Sequence, residues 1–289
     1  MTSIEIIRAG PLATLQDRGR FGMLKHGISA SGPMDGGAFE GTGAMLAHLG
    51  STAIEFTSAG LSVRVDGTLE LAGGGGAFAA KLNGLVCDWP LRLDLKSDDV
   101  VEITPGVQGN YGYLRFDCEI DVASVLGSRA TNVTVGLGGY DGRALRTGDV
   151  LSFGAPGKEA PRSRTESSDG PIRVTWGLHA DRIDADMRAD FAQGVFVISD
   201  KLDRMGVRLT DLGGIFAGLQ QLSLVSDAIV PGDIQILGDG TPIVLMRDHQ
   251  PTGGYPRIAT IVSADLDRFA QMRPGTEVRF QPVMLDHLK

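Results

Sequence analysis

A chain of 289 residues with 42% hydrophobic content can bury one large core or two ordinary ones, so neither disulfides nor metal are needed to hold it. A net charge of −8 and a pI near 5.1 argue against a nucleic acid or an anionic membrane as main partner, because both demand a basic face. Cys87 and Cys118 stand in neither a CxxC nor a repeated spacing, which implies no disulfide framework or zinc site and makes a reducing cytoplasm the default compartment.

In chain order, Ile4 to Arg8 alternates as a strand, Gly10-Pro11 breaks it, and Ala13 to Leu15 leads into a polar cluster of Gln16, Asp17, Arg18, Gly19 and Arg20. Phe21 to Ile28 reads as a loop. Behind Ser31-Gly32-Pro33-Met34, Asp35 is placed to cap a helix predicted over about Gly37 to Leu49. Strands then follow closely: Ala53 to Thr57, Leu61 to Val65, Thr68 to Ala72, Phe78 to Leu82, Arg92 to Leu95, Val100 to Ile103 and Tyr111 to Phe116. Asn83-Gly84 is the clearest hairpin turn among them. With 41 glycines and only 6% aromatics, such spacing predicts a mainly β protein of sandwich or barrel type. The stretch APGKEAPRSRTESSDG, Ala155 to Gly170, is polar and without periodicity. The expected organisation is therefore residues 1–157, a linker or exposed loop over 158–170, and a second half over 171–289.

The second half opens with a strand at Ile172 to Trp176, a helix over His179 to Gln193 with Ile183, Met187 and Phe191 four apart, and a strand at Gly194 to Ser199. Pro242 to Met246 looks like a strand covered on both faces, and it ends in Arg247, Asp248, His249 and Gln250. Thr252, Gly253, Gly254 and Tyr255 form a loop before Ile258 to Val262 returns as a strand. A solvated hairpin and a ligand-facing loop both fit this pattern. The turn and strand at Leu145 to Phe153 align with Met272 to Phe280, three of nine positions being identical, as a duplicated unit would.

Chemical motifs are sparse. Gly73 to Gly76 follows a strand but no Gly-Lys-Ser/Thr comes after it, so a bulge or tight crossing is the better reading than a phosphate loop. The histidines, His26, His48, His179, His249 and His287, show no metal-binding spacing. His249, beside Asp248 at a strand end, has the type and placement of a general base, and Asp248 can orient it or be the base itself. Arg18, Arg20, Arg143, Arg204 and Arg208 lie in or beside glycine-containing turns, where a guanidinium can grip a carboxylate or phosphate, or simply pair with a surface acid.

Taken together, Thr14-Leu15-Gln16-Asp17-Arg18-Gly19-Arg20, Ser31-Gly32-Pro33-Met34-Asp35, Leu126-Gly127-Ser128-Arg129-Ala130-Thr131, Gly138-Gly139-Tyr140-Asp141-Gly142-Arg143, Asp203-Arg204-Met205-Gly206, Pro231-Gly232-Asp233-Ile234-Gln235 and Asp248-His249-Gln250-Pro251-Thr252-Gly253-Gly254-Tyr255-Pro256 carry a resemblance. The chain resembles the biotin-dependent carboxyltransferase family that includes KipA, allophanate hydrolase subunit 2 and the 5-oxoprolinase C subunit. That resemblance implies cyclophilin-like β-barrel units in two related halves with a few short helices. It implies a KipI-like B subunit and a LamB/YcsF-like A subunit as partners, a small amide or lactam as substrate, and ATP shared among the subunits. The main expectation is the C subunit of an ATP-dependent 5-oxoprolinase-like complex, inactive alone. A carboxyltransferase using carboxybiotin on urea is the second reading, with biotin not attached to this chain, which has no Met-Lys-Met. A non-catalytic, KipA-like regulator is the third.

The residues expected to carry catalysis are Asp248, His249, Gln250 and Arg204. Gln16, Asp17, Arg18, Arg20, Met34, Asp35, Gln235, Thr252, Gly253, Gly254 and Tyr255 are expected to bind substrate, and no metal is expected. The chain departs from the family pattern at Gly43 and His48, at Cys118-Glu119, at Asp203 and at Pro251, which lacks both a hydroxyl and an N–H.

Overall fold

The computed structural model describes residues 2–163, 169–219 and 224–284. His287 and the middle of the predicted linker, 164–168, lie outside them. The chain forms two compact units, Met1–Phe21 with Ala30–Thr165, and Gly22–Ser29 with Glu166–Lys289.

The first unit is built from β1 (Ser3–Ala9), β2 (Thr14–Gln16), β3 (Ala53–Thr57), β4 (Leu61–Asp66), β5 (Leu69–Leu82), β6 (Leu85–Cys87), β7 (Leu91–Leu95), β8 (Val100–Phe116), β9 (Cys118–Ile120) and β10 (Val150–Pro156), with α1 at Gly36–Gly43. Its curled sheet runs β2-β3-β8-β4-β1-β10-β9, and β5 bridges β8, β7 and β6. Alternation puts Ile4, Ile6, Val63, Val65, Ile103 and Leu114 inside. Asn83 and Gly84 both have positive φ, 52° and 82°, and join β5 to β6 at the predicted hairpin.

Two pairs of predicted strands are each one long strand. β5 runs unbroken through Gly73 to Gly76, with a register shift between Gly75 and Ala77, and β8 runs through Pro105-Gly106. The glycines are there because neighbours fill the space. A Cβ on Gly73 would meet Trp89 at 2.8 Å, and Gly75, at φ 106°, sits 2.6 Å from the Tyr111 carbonyl by the same construction.

Asp35 caps α1, its Oδ1 accepting from Ala38 N–H at 2.8 Å. The helix stops at Gly43, short of the predicted Leu49, in a run of tight turns through Met45 and Leu46. Gly41 and Gly43 weaken it, and a Cβ at 43 would strike Leu49 at 2.9 Å.

The second unit holds β11 (Ile172–Trp176), β12 (Phe196–Leu202), β13 (Gly206–Asp211), β14 (Asp227–Ala228), β15 (Asp233–Ile236), β16 (Pro242–Leu245), β17 (Thr252–Gly253), β18 (Arg257–Ile261), β19 (Glu277–Val278) and β20 (Phe280–Pro282), with α2 at Ala185–Gln193 and α3 at Ser263–Ala270. Eight strands make a sheet ordered β19-β12-β13-β16-β15-β18-β11-β20, while β14 and β17 pair as a separate ribbon. Phe191 of α2 stacks on Phe280 at 5.2 Å and touches Phe196 and Phe216, so the core of this half is aromatic. The predicted 179–193 helix is interrupted because Ile183 and Asp184 are extended, leaving a 3-10 turn at Ala180–Arg182 before α2. α3 was not anticipated. It buries Leu266 and Phe269, and its fully buried Asp265 holds Arg173 in a fork at 2.6 and 3.0 Å.

The aligned turns of the two halves occupy matching places. In the first unit Ile6 N–H donates to Asp149 O and Gly148 N–H to Ile6 O, both at 2.8 Å. In the second, Ile198 N–H donates to Thr276 O at 3.0 Å and Gly275 N–H to Ile198 O at 2.8 Å. β1 and β12 are thus counterparts, each paired on one side with an antiparallel neighbour, β4 or β13, and on the other with the strand after the turn.

Candidate functional site

In the second unit the polar residues after β16 are fixed by an ion pair. Arg204, in the turn between β12 and β13, forks onto Asp248 with Nε to Oδ2 at 2.8 Å and Nη2 to Oδ1 at 3.1 Å, both side chains buried. Backbone bonds from Asp248 N–H to Arg204 O (2.7 Å) and Met246 N–H to Met205 O (2.9 Å) lock the two segments together. Asp203 builds the turn by accepting from Met205 and Gly206 N–H groups at 2.7 and 3.1 Å.

His249 is 3% exposed, and its Nδ1 lies 2.6 Å from Gln250 O. A carbonyl can only accept, so Nδ1 carries the proton and Nε2 keeps the basic lone pair. Burial lowers the His249 pKa below its ordinary value, against the opposing pull of the Gln250 carbonyl, Asp233 and Asp248. A neutral imidazole with Nε2 as acceptor is the form a general base needs, whereas Asp248 is committed to Arg204.

The loop after His249 supplies β17, which pairs with β14 as a ribbon. Gly253 lies opposite Asp227 and Thr252 opposite Ala228, and Pro251 contributes its carbonyl, which accepts from Ile229 N–H at 3.4 Å. Tyr255 is half-exposed beyond it. Gln235 is 1% exposed and its Nε2 lies against Gly253, where a Cβ would come within 2.5 Å.

Sequence reasoning missed the residues that anchor this ribbon. Arg257 opens β18, pairs with Asp227 and with Asp233 (3.2 Å), and donates to Ala228 O at 3.0 Å. Asp233 also accepts from Thr260 Oγ1 at 2.6 Å and Val230 N–H at 3.0 Å. His179 Nδ1 accepts from Arg257 N–H at 3.3 Å, and burial and then Arg257 lower its pKa. The available signal was an arginine opening an otherwise apolar strand, RIATI, directly after the Tyr255-Pro256 motif.

In the first unit the Gln16 to Arg20 cluster is woven into the chain. Gln16 Nε2 donates to Thr14 Oγ1 and Thr131 O, each at 3.0 Å, and its Oε1 accepts from Gly32 N–H at 3.1 Å. Asp17 accepts from Gly19 N–H, Ser128 Oγ and Arg129 N–H at 2.8, 2.6 and 2.6 Å. Arg18 forks onto Glu40 at 2.7 and 2.9 Å, and also reaches Glu159 and Ala160 O. Arg162 N–H donates to Glu40 at 2.9 Å, so the first part of the predicted linker is fastened across Arg18. Arg20 is buried and donates to Ala130 O. Met34 is buried, with its N–H on Glu55, and Asp35 N–H donates to Tyr113 Oη. Nearby, Arg115 lies 3.8 Å over the Phe39 ring and donates to Phe39 O and Gly50 O; burial lowers its pKa to about 10. Arg143, another arginine singled out above, forks onto Asp149 at 2.7 and 2.8 Å.

The sequence-predicted residues therefore fall into one group in each unit. Arg204, Asp248, His249, Gln250, Gln235, Thr252, Gly253, Gly254 and Tyr255 belong to the second. Gln16, Asp17, Arg18, Arg20, Met34 and Asp35 belong to the first. Among the described residues no group of three or more His, Cys, Asp or Glu could hold a metal ion, and no helix is long and apolar enough to cross a membrane.

The chain is similar to known proteins along nearly its whole length. The carboxyltransferase domain, subdomain A and B, matches residues 26–282. The 5-oxoprolinase C subunit of Escherichia coli is 33% identical over 98% of this chain and 92% of its own length, and that of Haemophilus influenzae is 30% identical over the same shares. The solved urea carboxylase of Kluyveromyces lactis superposes with a TM-score of 0.86 at 27% identity, covering 98% of this chain and 27% of that one. The chain belongs to the carboxyltransferase domain family.

Proposed function

We propose that this chain is the C subunit of an ATP-dependent 5-oxoprolinase complex. With a KipI-like B subunit and a LamB/YcsF-like A subunit it opens 5-oxoproline to L-glutamate in the cytoplasm. The observation that carries this reading is the end-to-end match to the Escherichia coli C subunit, 98% of one chain against 92% of the other. Opening a lactam needs a base and donors for the carbonyl oxygen. His249 supplies the base at Nε2, the Arg204–Asp248 fork holds His249 in place, and Gln235 with the Gly253-Gly254 backbone faces the substrate. Gly73 to Gly76 is filled by Trp89, Thr42 and the Tyr111 carbonyl. That run offers no phosphate cradle, and ATP is assigned to a site shared with the partner subunits.

The test is reconstitution. ADP release should depend on 5-oxoproline only when all three subunits are mixed, and no such stimulation with cognate partners would overturn the reading. The similarity to urea carboxylase over 98% of this chain supports a second reading, carboxyl transfer from carboxybiotin to urea or a related amide. Its assay is carboxylation of urea with a biotinylated carrier.

A further inference from the structure

Three buried polar atoms without a hydrogen-bond partner, Gln235 Nε2, Arg257 Nε and Asp227 Oδ1, belong to one corner of the second unit. Gln235 and Arg257 are cross-strand partners in the β15–β18 ladder. Arg257 pairs with Asp227, Asp227 lies opposite Gly253, and Gly253 is the backbone against which Gln235 Nε2 rests. Gln235 and Arg257 are only 1% and 7% exposed. Unbonded polar atoms in such numbers are rare, because each forfeits its hydration without return. The rest of the corner is amply bonded, Asp233 alone taking Thr260, Val230 and Arg257.

The chemistry of the three atoms is specific: two are donors and one is a carboxylate acceptor. We propose that this corner binds the edge of a cis-amide, as found in a lactam or in urea. The carbonyl oxygen accepts from Gln235 Nε2 and Arg257 Nε, and the amide N–H donates to Asp227 Oδ1. An open-chain secondary amide is trans and turns its N–H and C=O to opposite sides, so one edge of it cannot serve all three atoms. The ribbon of β14 and β17 covers the corner and is tied down by Arg257, through Asp227 and Ala228 O. Ligand entry lifts that ribbon. The choice of lactam and urea as ligands rests on the function proposed above; the donor and acceptor pattern does not.

The test uses the full chain and a substitution, Gln235→Met, that removes the amide donor while keeping side-chain length. Binding of 5-oxoproline, urea and N-methylacetamide is measured by ligand-observed NMR, alongside thermal melting. The expected result is that 5-oxoproline or urea binds the wild type, N-methylacetamide does not, and Gln235→Met weakens binding about tenfold, the equivalent of one hydrogen bond. Because an unbonded buried donor is lost, Gln235→Met should melt no lower than the wild type; Gln235→Leu serves if methionine packs badly. Binding of neither cis-amide to the wild type, equal binding by the variant, or equal binding of N-methylacetamide would overturn the proposal.

The two readings fail separately. If the three-subunit mixture opens 5-oxoproline and Gln235→Met leaves that rate unchanged, the corner is not the amide site although the proposed function stands. If the mixture ignores 5-oxoproline but urea binds the chain and Gln235→Met weakens it, the corner stands and the proposed function falls.

Discussion

Arg204 and Asp248 form a two-point fork sealed from water at both ends, 3% and 4% exposed. Breaking one side of such a pair strands the other, so Asp248→Ala is expected to lose about 3–5 kcal/mol of stability. Replacing both, Arg204→Met with Asp248→Leu, should recover most of that loss without restoring activity, since His249 loses its brace. Denaturant melts of the two single variants and the double variant check this. A cost below about 1 kcal/mol for Asp248→Ala would put the pair in the class of surface ion pairs.

His249 sets the pH response. Burial holds its pKa below 6.5, as burial and Arg257 do for His179. Both groups bind a proton less readily in the folded chain than in the unfolded one. Their contribution to stability is therefore full above pH 6.5 and disappears as pH falls through the lowered folded values. Melting at pH 5 should be lower than at pH 7.5, and the rate of the complex should show an acid limb below pH 6.5. His249→Gln should flatten that limb; a profile unchanged by this variant removes His249 as the base.

The segment after β10 should depend on Glu40. Burial alone would raise the Glu40 pKa, but the Arg18 fork and Arg162 N–H hold it below its ordinary value. Arg18 is 21% exposed, so Glu40→Gln is expected to cost only about 1 kcal/mol. Its clearer effect is on Lys158 and Arg162, where trypsin should cut faster once Arg18 and the Arg162 N–H lose their acceptor. Identical cleavage rates in variant and wild type would show that the segment is held by other contacts.

Gly253→Ala tests the ribbon directly. The added Cβ would lie 2.5 Å from Gln235 Nε2 and 3.3 Å from Ile229 Cδ1. The first obstacle is the tip of a side chain, so the fold should survive with a loss of about 1–3 kcal/mol. Displacing the Gln235 amide should nevertheless cut catalytic efficiency about tenfold or more, a barrier rise of roughly 1.4 kcal/mol. Steady-state kinetics with a parallel melt separate the two effects.

Strand content, the Asn83-Gly84 hairpin and the Asp35 cap were legible because each depends on residues close in sequence. The ends of helices were less so. Glycines inside α1 and extended residues before α2 are local facts whose consequence depends on what packs nearby, here Leu49 beside Gly43. α3 escaped notice because its apolar residues, Leu266 and Phe269, are few, and its buried acid, Asp265, meets Arg173 on β11, which is distant in sequence. The polar motifs showed where Asp248 and His249 lie in the chain. They did not show that Arg257 lies across the ladder from Gln235 and pairs with Asp227 and Asp233, since that depends on strand register and on a ribbon of two-residue strands. Nor could they show that Gln16 and Asp17 spend their hydrogen bonds on Thr131, Gly32, Ser128 and Arg129, all distant in sequence.

The paired placement of Gly148 on Ile6 and Gly275 on Ile198 bears on how the chain reaches its folded state. In each half a strand made early waits for a turn made late, and until that turn arrives β1 or β12 keeps an unpaired edge. The wait is longer in the first half, where nearly the whole unit is synthesised between the two partners. Closure at such separation is slow, and an open edge invites pairing with another chain. During synthesis β1 should therefore be the segment most in need of shielding, and β12, whose turn follows sooner, should close its edge with less delay.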